Sequence, residues 1–361
     1  MAEERRYIAA HYGLRGIAAL LVIFYHLQFG ADYRLGFETA TNFFEQSYLM
    51  VDLFFILSGF IISFTARPDG RTMTREECRK FYRMRVARIF PLHVFCLLYL
   101  SVFFAAFAAY LTWQGQPLDQ DRWGPMGAFS FLRELLLLHA WGGEHSPTWN
   151  IPSWSISAEF LAYLSFPILV ALLLFRGIDV VVTLLAVGFF CYIGSTTGDL
   201  DIISGLSGIR CLAGFIIGML VFKYRGLMAS LSDAQLTIIQ MLSAVWAVIV
   251  LAADLNDALV IPAFTLFVAS TWGDNGLLAR LLSASGFQFL GKISYSIYLN
   301  HFCLIQILSF FWSRLSPALL LDPWIIRIIW IALVVTVTLA VSIATFQWVE
   351  QPTRRYLMKQ R

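Results

Sequence analysis

The sequence predicts an all-α fold: a polytopic membrane helix bundle of about ten transmembrane helices, with both termini cytoplasmic. Three observations predict it. Of 361 residues, 59% are hydrophobic and 14% charged, whereas soluble domains carry roughly a quarter charged residues. Apolar runs recur at the length that a bilayer core of about 30 Å demands, about 20 residues each. Basic residues gather on one side of those runs, as cytoplasmic segments require.

The ten runs lie near 11–29, 48–66, 90–112, 153–175, 180–195, 205–224, 236–253, 258–272, 292–313 and 324–349. The fifth and eighth are short, so one of them is expected to be broken or tilted. The first is too long for a signal-peptide core, and no small-residue cleavage site follows it. The stretch 129–141, FSFLRELLLLHAW, is too short and too charged to span. It is expected to lie flat at the interface or to re-enter. The chain therefore reads as one integral-membrane domain over 1–361. It has a basic cytoplasmic loop at 67–90 and an outer loop at 113–152. With the termini inside, the inner segments hold about 19 of the 26 Lys and Arg. These include Arg5, Arg6 and the cluster in 67–90. The outer loops hold Arg34, Arg122, Arg133 and Arg314. Spread along a membrane edge in this way, the basic residues exclude a nucleic-acid partner. The five cysteines, Cys78, Cys96, Cys191, Cys211 and Cys303, show neither a disulfide framework nor zinc spacing. They read as small buried apolar groups, and no metal is expected.

Ionisable residues inside a membrane are costly and mark sites. Arg15 and His26 in the first run are 11 residues apart, which places them on one helical face, roughly 16 Å apart along the axis. Gly13, Gly16 and Ala19 let a neighbouring helix come close. His26, Asp52, Glu159 and Arg210 share one expected depth on four runs. They read either as a structural ion-pair network or as a histidine oriented and tuned by a carboxylate for proton transfer. In CRKFYRMRVARIFPLH (78–93), Arg85 and Arg88 share a face, with Lys80 and Arg83 on a second stripe. That pattern serves a topology anchor at anionic lipid, or a phosphate site of paired guanidinium forks. Tyr295, Tyr298 and His301 recur on about one face of LGKISYSIYLNHFCLI (290–305) beside Asn300. Interhelical hydrogen bonds would also explain them. His11, His93, His139 and His145 fall at predicted ends or in loops and read as interfacial.

Seven stretches, in order, carry a family resemblance: GLRGIAALLVIFYH, VDLFFILSGFII, FYRMRVARIFPLH, PSWSISAEFLAY, IRCLAGFIIGML, LGKISYSIYLNHF and VEQPTRR. Together they resemble the acyltransferase-3 family, bacterial integral-membrane O-acyltransferases of surface polysaccharides and sometimes of small molecules. The resemblance implies that Arg15 and His26 are the family's first-helix pair and that Arg85 and Arg88 are its basic motif. It sets Trp154 to Glu159 on the WSLS-x-E stretch, with Ile156 for Leu. It sets Ser294 to His301 on the SYSIYLWH-like stretch, with Asn300 for Trp. The C-terminal esterase-like domain of longer relatives is not expected here.

The expected activity is transfer of an acyl group, most simply acetyl from acetyl-CoA, to a hydroxyl of a glycan at the bacterial inner membrane. His26 is the expected general base, with Asp52 or Glu159 orienting it and Arg210 balancing charge or holding the oxyanion. Arg15, Arg85 and Arg88 are expected to hold the donor phosphates. Ser58, Trp154, Tyr295, Tyr298 and His301 are the expected substrate contacts. Two rival readings are a small-molecule acyltransferase and a proton-coupled transporter of an acyl or glycan intermediate.

Overall fold

A computed structural model describes residues 7–29, 41–66, 71–118, 125–142, 149–319 and 322–359. The expected positions of Arg5, Arg6, Arg34, Arg122 and His145 lie outside the described residues, as do parts of both predicted loops. The described residues are mostly helical, with no strand among them. The helices are α1 (Ala9–His26), α2 (Met50–Ala66), α3 (Arg75–Trp113), α4 (Ala128–Leu135), α5 (Ser153–Leu172) and α6 (Ile178–Thr196). They continue with α7 (Ser207–Lys223), α8 (Asp233–Ala252), α9 (Val260–Thr271), α10 (Ser285–Leu315), α11 (Pro323–Thr345) and α12 (Gln351–Lys359). Each predicted run has its helix, and seven helical segments are long and apolar enough to cross a membrane. The others fall short for visible reasons. His11, Arg15 and His26 dilute α1, α7 has 17 residues and α9 has 12. Leu184 and Leu185 on α6 and Leu242 on α8 stay exposed, as lipid-facing side chains do.

Close packing fixes two helix pairs. Gly13 brings α1 against the Leu282 carbonyl just before α10, and Gly16 brings it against α10 itself, where a Cβ would meet Leu290 and the Gly291 backbone. Ala19 is fully buried at the same face. On α2, Gly59 sits under the Phe215 carbonyl of α7, and Gly218 of α7 sits under the Ile56 carbonyl. No side chain fits between those backbones.

The basic segment 67–90 is not a loop from residue 75 onward. It forms the first turns of α3, a single helix of 39 residues. A capping box begins it: the Glu77 amide donates to Thr74 Oγ1 at 3.3 Å, and the Thr74 amide donates to Glu77 Oε2 at 2.8 Å. Pro91 removes one helical hydrogen bond, yet α3 continues through it.

The segment before α5 is tied into the bundle through α4. Glu134 is buried and accepts from the amides of Trp149 (3.1 Å) and Asn150 (2.6 Å) and from Ser153 Oγ (3.0 Å). His93 of α3 donates from Nε2 to the Glu134 carbonyl at 2.8 Å. His139 Nε2 lies 3.1 Å from Ser153 Oγ, and burial pushes this imidazole down to about 3. His93 and His139 are therefore buried struts and not interfacial groups. His11 is buried too, because α1 starts at Ala9 and packs His11 Nε2 3.1 Å from the Val268 carbonyl of α9. Of the cysteines, Cys96, Cys211 and Cys303 are buried and Cys78 is half-buried. Cys191 is exposed on α6, contrary to the sequence expectation.

Candidate active site

The N-terminal ends of α1 and α3 and the C-terminal end of α11 meet at one end of the bundle, the basic end. A vestibule of about 770 Å³ opens there. Arg15, Arg85, Arg88, Lys292, Arg354 and Arg355 contribute its positive charge, and Tyr7 and Tyr12 part of its wall. Arg85 and Arg88 turn into this space, while Lys80 and Arg83 on the other stripe are exposed. The two vestibule arginines differ. Arg85 lies over the rings of Phe81 and Tyr163 at 5.6 and 5.7 Å, and its buried Nε has no partner. Arg88 is ion-paired to Glu350, which also accepts from Ser296 Oγ at 3.0 Å. Much of the Arg88 charge is thus spent inside the protein. Glu350 reaches it because Phe346–Glu350 is a π-helical turn between α11 and α12. Sequence reasoning missed Glu350, although the VEQP stretch contains it.

Arg15 lines both the vestibule and a second, narrower void of about 40 Å³. This throat rises between α2, α5 and α10. Its neck is polar: Arg15, Ser58, Glu159, Ser294 and Tyr295. Its top is mostly apolar: Val51, Phe54, Phe55 and Ile156, with Ser155 and Tyr298. Glu159 accepts from Ser58 Oγ and, at 2.6 Å, from the Tyr163 hydroxyl. Tyr298 and Ser155 share a hydrogen bond of 2.7 Å, and Tyr295 donates to the Ile89 carbonyl at 2.7 Å. Tyr295 also stacks under Arg88, 5.1 Å from its guanidinium.

One helical turn beyond Tyr298 stands His301, with ring centroids 5.7 Å apart. It faces His26 across the α1–α10 contact. His301 Nδ1 lies 3.2 Å from the Ile297 carbonyl. A carbonyl only accepts, so a neutral His301 is protonated at Nδ1 and offers the Nε2 lone pair. That lone pair meets His26 Nδ1 at 3.1 Å, and His26 Nδ1 also lies 3.0 Å from the Val22 carbonyl. Both neighbours accept, so the His26 proton sits on Nδ1, and Nε2 is the basic nitrogen.

The other expected partners of His26 are engaged elsewhere. Asp52 forms a bidentate pair with Arg210, Nε–Oδ1 2.9 Å and Nη2–Oδ2 2.5 Å, and both residues are fully buried. Arg210 also donates to the Ile202 carbonyl at 3.4 Å and lies 5.4 Å over the Trp154 ring. Trp154 thus packs on this pair. Glu159 is bonded to Ser58, which lies about 9 Å farther along α2 than Asp52 at the rise of an α-helix. The shared level expected for Asp52 and Glu159 is therefore two levels. Distance from a helix end gave depth only coarsely, and it gave no information about which faces meet.

An acyltransferase-domain family model, that of acyltransferase-3, matches residues 12–347. The chain belongs to the acyltransferase-3 family. It is 34% identical over 163 residues to acyltransferase MdmB of Streptomyces mycarofaciens, covering 43% of this chain and 37% of that protein. It is 28% identical over 167 residues to the putative peptidoglycan O-acetyltransferase YrhL of Bacillus subtilis, covering 46% and 24%. It is 22% identical to O-acetyltransferase OatA of Staphylococcus aureus over 378 residues, 97% of this chain and 58% of that one. The chain spans less than two thirds of the length of each of these relatives. No solved structure matches it. The acyltransferase-3 match covers every residue of the vestibule, the throat and the histidine pair except Tyr7, Glu350, Gln351, Arg354 and Arg355.

Proposed function

We propose that this chain is a membrane O-acyltransferase that moves an acetyl group from acetyl-CoA to a hydroxyl of a cell-surface glycan in the bacterial inner membrane. The observation that carries the proposal is the succession of basic vestibule, Arg15 neck, throat and histidine pair along one axis. The name of the relative YrhL, a putative peptidoglycan O-acetyltransferase, supports a glycan hydroxyl as acceptor, and that of OatA supports O-acetyl transfer.

In this reading the nucleotide phosphates sit among Arg85, Lys292, Arg354 and Arg355, with Arg15 at the neck. An extended pantetheine arm spans roughly 15–18 Å. From Thr65 to Phe54 along α2 is about 16 Å, so an arm anchored at the rim brings its thioester into the throat. The acceptor hydroxyl approaches from the far end past His26. The Phe54–Tyr298 contact that separates the histidine pair from the throat has to part for it to reach the thioester carbonyl. His26 Nε2 takes the hydroxyl proton as the oxygen attacks the thioester carbonyl, the C–S bond breaks, and CoA leaves as a thiolate that recovers the proton. His301 holds the imidazole in the tautomer that leaves Nε2 basic, and shares the charge that develops. Asp52 and Arg210 neutralise each other and fix α2 to α7. Ser58, held by Glu159, and Tyr295 and Tyr298 shape the throat wall.

His26→Ala is expected to keep acetyl-CoA binding by the purified protein. It should lower the O-acetyl content of surface glycan, read by mass analysis of cells carrying either form, by about 10²-fold or more. Unchanged acetylation would remove His26 as the base. Activity without CoA that follows the proton gradient would favour a transporter. Acylation of a soluble acceptor in detergent would favour a small-molecule enzyme.

A further inference from the structure

The throat carries more information than a path. Its lining changes character along its length. Arg15, Ser58, Glu159 and Ser294 surround the neck, whereas Val51, Phe54, Phe55 and Ile156 close the top. A thioester carbonyl suits the first set and an alkyl tail the second. The top is also blocked. Phe54 and Tyr298 meet edge to face at 5.8 Å, Phe55 meets Trp154 at 6.1 Å, and Val51, Phe55 and Ile156 are buried. Tyr298 is pinned there by Ser155 and by the Pro152 carbonyl at 3.2 Å. The void measures about 40 Å³. A water needs roughly 10–15 Å³ of such space, so it holds about three. Three is also the number of heavy atoms in an acetyl group.

We infer that the throat top is the acyl-tail pocket and that Phe54, Val51 and Ile156 set the length of the acyl group at two or three carbons. The inference rests on the acyl-CoA reading above and adds the residues that select the donor. Longer tails must push aside packed aromatic rings. Overfilling a packed site costs about 1–3 kcal/mol, and one methylene in such a pocket discriminates about 10–200-fold.

The test uses the full-length chain purified in detergent. Binding of CoA, acetyl-CoA, propionyl-CoA and hexanoyl-CoA is measured by competition with labelled CoA. Acetyl-CoA and propionyl-CoA are expected to bind within about 3-fold of CoA, and hexanoyl-CoA at least about 10-fold more weakly. Phe54→Ala should bring hexanoyl-CoA to within about 3-fold of acetyl-CoA, both read relative to CoA on the same variant. Ile156→Val is a milder variant that keeps the fold, and it should narrow the gap in the same direction. Wild-type protein that binds hexanoyl-CoA as tightly as acetyl-CoA overturns the inference while leaving the acyltransferase reading intact. The inference also fails if the hexanoyl penalty is unchanged in both variants. If none of the four ligands binds, the donor assignment itself is wrong and the pocket assignment falls with it.

Discussion

Arg210 and Asp52 show what a charge inside this bundle requires. Each is tolerable because the other is bonded to it at two points. Arg210→Met alone leaves a buried carboxylate with its main partner gone, a loss of about 3–5 kcal/mol. Combining it with Asp52→Leu should recover most of that, because a buried pair and its apolar replacement differ little. Thermal unfolding in micelles checks both, and a double variant no better than the single one would refute the pairing argument. His26 and His301 make a different case, a contact that sets a tautomer. His301→Ala empties a fully buried site and should lower the melting midpoint, but it should keep CoA binding. Transfer should fall by about 10–10²-fold as His26 loses its fixed proton position, with a shifted pH–rate profile as the signature. An unchanged profile would make His301 a packing residue only.

Helix pairs are set by glycine where backbones touch. Gly59→Val would drive two methyl groups into the Phe215 carbonyl. We expect loss of the monodisperse folded species in size-exclusion chromatography. Gly188 on α6 faces open space, so Gly188→Ala should be neutral or stabilising by about 0.5–1 kcal/mol. If the two variants behave alike, close approach is not what pairs α2 with α7. The helices themselves were legible in the sequence, because hydropathy is a one-dimensional signal and each predicted run has its helix. The α1 glycine face was legible for the same reason, since spacing alone puts Gly13 and Gly16 on one side. What was not legible was azimuth. Asp52 and His26 share a depth, yet Asp52 turns to α7 and His26 to α10. Glu350 escaped notice because a π-helical turn, which hydropathy does not encode, swings it onto Arg88. By its charge the stretch at 75–90 reads as part of a loop, and the Thr74–Glu77 capping box is the local signal that starts the helix there.

Taken as a whole, the bundle is polarised. The vestibule and its cations open at the end where α3 begins and α7 ends, and the histidine pair lies towards the other. If the donor is cytoplasmic, the basic end must face the cytoplasm, as the excess of Lys and Arg there also requires. Two exposed positions report on this. Ser230, after the basic end of α7, and Thr197, after the far end of α6, both lie in connections outside the long helices. With Cys78 and Cys191 replaced by Ser, a membrane-impermeant maleimide on spheroplasts should label Thr197→Cys and spare Ser230→Cys. Inverted membrane vesicles should show the reverse. The opposite pattern would put the cationic vestibule outside, away from any CoA pool. The donor assignment would then fail even with every helix in its place, because the same axis would lead the thioester to the wrong side of the membrane.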